Sequence, residues 1–287
     1  MNLREYLLDE IAEDADLGYL SPEEASRRMA MFEGGQAVAS APTGDPAPAA
    51  AVTEDDPLID TSESALSGER AVGYYLVRPR GADAPGVLLV HENRGLTPYI
   101  KDVARRLGRL GYAVLAPDLL WASGGTEAFS DSAGVTAALG ARESDDMLAD
   151  LLAAFAALGE IDGVRAARRG ALGFCFGGGM AWRLATKEPE LAAVVAFYGP
   201  NPPLEDVPNI AAPVLGIYGE HDARVNKGID AITDAMSRAG KVFDCAVFEG
   251  AQHAFHNDTN PDRYNPTAAA QAWDRATSWL DRYLNAS

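Results

Sequence analysis

Cysteine is nearly absent from this chain, with two residues, Cys175 and Cys245, among 287. Two thiols far apart in sequence, each inside an apolar run, make no disulfide framework, and a reactive thiol suits a reducing compartment better than an oxidising one. Long apolar runs are missing as well: no stretch approaches the roughly 18 apolar residues that a membrane span needs, which excludes the bilayer as a partner. Positive charge is scarce, with 24 Lys and Arg against 42 Asp and Glu and a formal charge of −18. Such a surface repels phosphate backbones, so nucleic acid is excluded too. The four histidines lack ligand spacing and no glycine-rich loop runs into Lys-Ser or Lys-Thr, so neither a metal nor an organic cofactor is implied. The cytoplasm is the expected location. The one targeting-like feature is Ser26-Arg27-Arg28-Met29, a twin arginine whose following apolar segment is broken by Glu33, Gly34 and Gly35; export through a degenerate signal is the alternative.

What is present divides the chain in three. Residues 1–33 read as a helical hairpin: Leu3, Leu7, Leu8 and Ile11 recur at helical spacing, Gly18 suits a helix end, and Ser21-Pro22-Glu23-Glu24 restarts the helix with a cap and a first-turn proline. The hairpin is expected to be a packing appendage, through which a homo-oligomer would form, and nothing in it resembles a chemical site. Residues 34–57 are rich in Ala, Pro, Gly and Ser and read as a linker. Residues 58–287 form the expected catalytic domain, long enough at 47% overall hydrophobic content to bury one large core.

In that domain, strand-like stretches at 71–78, 86–91, 112–116, 170–174, 193–198, 213–218 and 243–248 alternate with helical patterns near 98–110, 142–158, 178–187, 226–239 and 266–284. The alternation predicts an α/β fold, a mostly parallel sheet flanked by helices on both faces, with chemistry beyond the carboxyl ends of the strands. The stretch Gly173-Phe-Cys-Phe-Gly-Gly-Gly places Cys175 on a sharp strand-to-helix turn, bracketed by Gly173 and Gly177 at the spacing of a nucleophile elbow. Asp222 follows it, and His253 follows Asp222, in the order nucleophile, acid, base that the α/β-hydrolase fold uses. A thiol at a helix N-terminus beside a histidine is activated, the histidine serves as base and then acid, and a carboxylate behind it fixes the tautomer. Glu220 competes with Asp222 in the same loop, and His91, His221 and His256 are the rival bases. The turn after residue 90, His91-Glu92-Asn93-Arg94-Gly95, sits where the second oxyanion amide arises, so the backbone N–H groups of Asn93 and Phe176 are the candidate oxyanion hole.

Taken together, the Cys175 elbow, the Glu92 strand end, Ala116-Pro117-Asp118-Leu119, the Asp222 loop and Gln252-His253-Ala254-Phe255 resemble the dienelactone hydrolase family (carboxymethylenebutenolidases) over roughly residues 65–287. The resemblance implies the α/β-hydrolase fold and hydrolysis of a small ester or lactone. It also implies Cys175 as nucleophile, Asp222 and His253 completing the triad, Glu92 accepting a hydrogen bond from the resting thiol, and Asp118 as a structural residue. Members that cleave dienelactones hold the substrate carboxylate with two arginines, where this chain has Leu120-Trp121-Ala122-Ser123 and His256-Asn257. That departure argues against a dienelactone. It leaves Arg94 and Arg224 as the cations at hand, and Trp121, Tyr99 and Tyr198 to suit an apolar acyl or alcohol group. The competing class is a catalytically idle hydrolase fold used as a binding or assembly module.

Overall fold

A computed structural model of the chain describes residues 3–32, 51–67, 70–81 and 83–285. The hairpin consists of α1 (Leu3–Asp16) and α2 (Pro22–Met31). Ser21 Oγ accepts the Glu24 N–H at 3.1 Å with Pro22 opening the helix, and Gly18 supplies the positive φ that the intervening turn needs. Tyr6, Leu7, Ile11 and Ala25 bury the apolar face of the hairpin against its own domain, partly on α4 (Ser132–Gly140). The expected linker lies outside the described residues as far as residue 50. Its last part is docked on α3 (Pro98–Arg109): the Val52 N–H donates to Asp102 Oδ1 at 2.6 Å, and the Val52 carbonyl accepts from Arg105.

Among the described residues, eight strands form one sheet in the order β1-β2-β4-β3-β5-β6-β7-β8. They are β1 (Ile59–Ala65), β2 (Gly73–Pro79), β3 (Ala84–Val90), β4 (Ala113–Asp118), β5 (Val164–Phe174), β6 (Ala193–Phe197), β7 (Val214–Gly219) and β8 (Phe243–Phe248). β1 and β2 pair antiparallel at one end, β2 is antiparallel to β4, and the pairs from β4 to β8 are parallel. Every residue of β3, β4, β6 and β7 is buried, which is why these strands read as continuous apolar runs: helices cover both faces of a parallel sheet.

The crossover helices are α3, α5 (Ser144–Glu160), α6 (Phe176–Ala185) and α8 (Ile229–Arg238), with the short α7 (Ala223–Asn226) after β7, and α9 (Pro266–Leu284) follows β8 and packs back on the sheet. Two elements go beyond the sequence expectation. β1, Ile-Asp-Thr-Ser-Glu-Ser-Ala, is an edge strand with mostly exposed residues, so it shows no apolar alternation. α4, Ser-Ala-Gly-Val-Thr-Ala-Ala-Leu-Gly, is short and carries two glycines.

Candidate active site

The elbow owes its shape to close backbone packing. β5 ends at Phe174, Cys175 takes φ 54° and ψ −122°, and Phe176 opens α6. Positive φ at a non-glycine residue stores on the order of 1–3 kcal/mol and persists only where the surroundings enforce it. Here the Cys175 N–H donates to the Phe197 carbonyl at 3.0 Å, while its own carbonyl accepts the Gly179 N–H at 3.2 Å. A Cβ on Gly173 would stand 2.0 Å from the Gly177 carbonyl oxygen, and one on Gly177 would stand 2.4 Å from the carbonyl oxygens of Val90 and His91. Only glycine lets α6 start this close to β3. Because Phe176 lies in the first helical turn, its N–H has no acceptor within the helix and is available to an incoming oxygen. Asn93 is pinned at the other side, its carbonyl accepting from Thr136 Oγ1 at 3.1 Å.

Behind the thiol, His253 Nδ1 lies 2.5 Å from Asp222 Oδ2. Asp222 also caps α7 by accepting the Val225 N–H at 3.2 Å, which locks the carboxylate in place. Burial disfavours its charge, but His253 outweighs that and holds the Asp222 carboxyl below its ordinary value. Burial likewise opposes the His253 cation, and Asp222 followed by Cys175 nonetheless hold the imidazole well above its usual range. The carboxylate therefore fixes the ring with Nδ1–H toward Asp222 and Nε2 toward the sulfur side of the site. Glu220 is half exposed and accepts the Gly250 N–H at 2.9 Å, so it braces the loop instead of the imidazole.

The other histidines do structural work. His91 Nδ1–H donates to the Glu92 carbonyl at 2.6 Å and Nε2 accepts the Leu119 N–H at 3.2 Å, tying the ends of β3 and β4 together. His256 packs among Phe174, Phe197 and Trp273 and pairs with the Tyr99 hydroxyl at 2.7 Å; burial and then Arg106 push it down to about 3. His221 is exposed.

The hairpin reaches the Cys175 sulfur, although it was expected to carry no chemical site. The Tyr6 hydroxyl lies 3.6 Å from Cys175 Sγ, and both carboxylate oxygens of Glu10 lie 3.7 Å from it. Glu10 Oε1 also accepts from Asn93 Nδ2 at 3.0 Å and stands 4.0 Å from His253 Nε2. Two arginines hold the rest of this helix face. Arg224 Nε donates to Glu13 at 2.9 Å, with its guanidinium 4.3 Å above the Tyr6 ring, and Arg263 pairs with Asp14. Cys175 is left 2% exposed under a cavity of about 40 Å³, lined in part by Glu10, Glu92, Arg94, Asn257 and Arg263. That is room for roughly one water molecule.

Glu92 stands near this cluster, but its Oε2 accepts from Asn257 Nδ2 at 2.9 Å and its Oε1 has no partner among the described residues. The carboxylate within hydrogen-bonding reach of the thiol is Glu10, where the sequence reading expected Glu92. Burial raises the Glu92 carboxyl despite Arg94 and His253, and burial followed by Glu10 raises the Cys175 thiol. Of the expected substrate contacts, Arg94 lines the cavity over Cys175 and Tyr198 sets its ring edge-on to His253 at 5.1 Å. Tyr99 is wholly buried against His256. Trp121 is elsewhere. It covers Gly73, where a Cβ would be 2.1 Å from its ring, and it lines a separate cavity of about 360 Å³ with Glu63, Tyr74 and Thr126.

Sequence reasoning missed Tyr6, Glu10 and Arg263. The available signal was the spacing of Tyr6, Glu10, Glu13 and Asp14, a polar stripe at i, i+4, i+7 and i+8 beside the apolar Leu7 and Ile11. Glu10, Cys175 and His253 also offer carboxylate, thiol and imidazole atoms within 4.8 Å of one another.

Comparison with known proteins agrees with this architecture. The dienelactone hydrolase family profile matches residues 72–284. A putative carboxymethylenebutenolidase of Methylorubrum extorquens is 34% identical over 222 residues, covering 73% of this chain and 76% of that protein. A probable 2-oxo-3-(5-oxofuran-2-ylidene)propanoate lactonase of Bradyrhizobium is 31% identical over 239 residues, covering 79% and 95%. The crystal structure of a putative dienelactone hydrolase from Klebsiella pneumoniae superposes with a TM-score of 0.72 at 29% identity, covering 78% of this chain and 99% of that one. The profile match begins at residue 72, so α1 and its contacts with the sulfur lie outside it. Among the described residues, no helix is long and apolar enough to cross a membrane.

Proposed function

Since the chain belongs to the dienelactone hydrolase family, a family of hydrolases, we propose that it cleaves a small ester or lactone through a Cys175-His253-Asp222 triad and a thioester acyl-enzyme. Cys175 Sγ attacks the carbonyl carbon while its proton is held by His253 Nε2, and the oxygen that gains charge is met by the Phe176 and Asn93 N–H groups. His253 then gives the proton to the departing alkoxide. Water, deprotonated by the same imidazole, attacks the thioester and releases the acid and the thiol. Asp222 keeps the ring oriented through both halves.

The observation that carries this reading is the 2.5 Å contact between Asp222 and His253, set behind a cysteine on a strained elbow. Substrate reaches the sulfur only after α1 shifts, because the cavity above it holds about 40 Å³. The covered thiol is also what favours the second reading, a catalytically idle fold. Steady-state turnover of p-nitrophenyl acetate and a panel of neutral and carboxylate-bearing lactones separates the two. Cys175→Ala and His253→Ala are expected to abolish it, and turnover that persists in Cys175→Ala refutes the triad.

A further inference from the structure

One face of α1 is built against the elbow. Tyr6, Glu10, Glu13 and Asp14 lie along one side of the helix, and they meet, in order, Cys175, Asn93 with Cys175, Arg224, and Arg263. Helix docking for packing alone needs only the apolar anchors Leu7 and Ile11, which are present and buried. Glu10 is 7% exposed all the same. Burying a carboxylate is unfavourable unless donors meet it, and the donors that meet this one are the Asn93 amide and the Cys175 thiol.

We propose that α1 is a reversible cap, and that Glu10 is a positioning residue that holds Cys175 in its protonated resting form until the cap withdraws. This rests on Cys175 being the nucleophile. In the capped state Sγ keeps its proton and points it at the Glu10 carboxylate, while His253 is held as the imidazolium between Asp222 and Glu10. When α1 leaves, water enters. The S–H bond ionises, its proton passes to solvent, and the sulfur is left as a thiolate beside the imidazolium. The capped state thus holds one proton more than the active pair. The groups facing the sulfur are Glu10 and Tyr6 from α1, Glu92 after β3, His253 backed by Asp222, Arg224 at α7, and Arg263, which is paired with Asp14. Burial together with Glu10 raises the thiol, whereas the imidazole, backed by Asp222, keeps its proton in both states. A state whose groups have raised values is favoured at low pH and lost as pH rises through those values. Capping therefore weakens toward alkaline pH.

The test is iodoacetamide alkylation of the full-length chain across pH, read peptide by peptide by mass spectrometry, with the half-buried Cys245 as internal control. Glu10→Gln keeps the shape and the Asn93 contact but removes the charge. It is expected to alkylate Cys175 about tenfold faster at neutral pH, with the midpoint of the rate profile about one pH unit lower. Leu7→Asp combined with Ile11→Asp unseats α1 without touching the elbow, and should speed alkylation of Cys175 and raise kcat/KM on a small ester while Cys245 stays unchanged. Where Cys245 accelerates equally, that variant has lost its fold and Glu10→Gln decides. Rates within about twofold of the parent and an unmoved profile overturn the cap. Alkylation needs no turnover, so a failed triad and a failed cap give different results.

Discussion

Asp222 Oδ2 lies 2.5 Å from His253 Nδ1, while Glu220, two residues earlier, gives its carboxylate to the Gly250 amide at 2.9 Å. The two acids share one loop and differ in what they face, so their substitutions should separate cleanly. Asp222→Asn leaves the shape but loses the carboxylate that selects the tautomer, and kcat/KM on p-nitrophenyl acetate should fall by about 10²–10⁴. Glu220→Gln should stay within about threefold of the parent. Equal losses in both variants would remove Asp222 from the triad.

Glu92 makes a prediction about stability. Its carboxyl is raised by burial, and Oε1 lacks a partner among the described residues. An acid raised on folding gives its full stabilisation below the unfolded value of about 4.5 and loses it as pH climbs toward the folded value. Glu92→Gln removes that loss, so its melting temperature relative to the parent should improve between pH 4 and pH 8. Paired thermal melts at the two pH values test this, and an unchanged difference contradicts a strained Glu92.

His256 titrates in the opposite sense. Buried and lowered to about 3, it remains neutral in the fold yet takes a proton near 6.5 once unfolded. Its stabilisation is complete above about pH 6.5 and declines as pH falls toward 3, by about 1.4 kcal/mol per pH unit. Urea titrations of the parent and of His256→Phe should show the shallower acid slope in the variant.

Gly177→Ala tests the elbow itself. The added methyl meets the carbonyl oxygens of Val90 and His91 at 2.4 Å, which are backbone atoms of β3 and its end and cannot turn aside. A loss of about 1–3 kcal/mol in denaturant unfolding is expected, with kcat/KM falling further than stability does because α6 and its N–H groups are displaced from the sulfur.

The core of the fold was legible because its signals are local. Buried parallel strands announce themselves as apolar runs, and the glycines around Cys175 mark a turn that admits nothing larger. The choice of Asp222 over Glu220, by contrast, depends on side-chain direction within one loop, and spacing left both open. β1 escaped notice because an exposed edge has no apolar alternation to display, and α4 because glycine and serine weaken its helical pattern. Trp121 was placed by its proximity to the Pro-Asp-Leu turn, whereas its ring is spent on covering Gly73. Glu10 meets a thiol 165 positions away, a distance across which no periodicity carries information.

The order of synthesis gives α1 an unusual history. It is synthesised before its seat, which is assembled from Asn93, Cys175, Arg224 and Arg263. A lone helix of 14 residues is marginal in water, so it gains firm structure only when that seat is complete. Docking on all four partners therefore has to wait until residue 263 has been made.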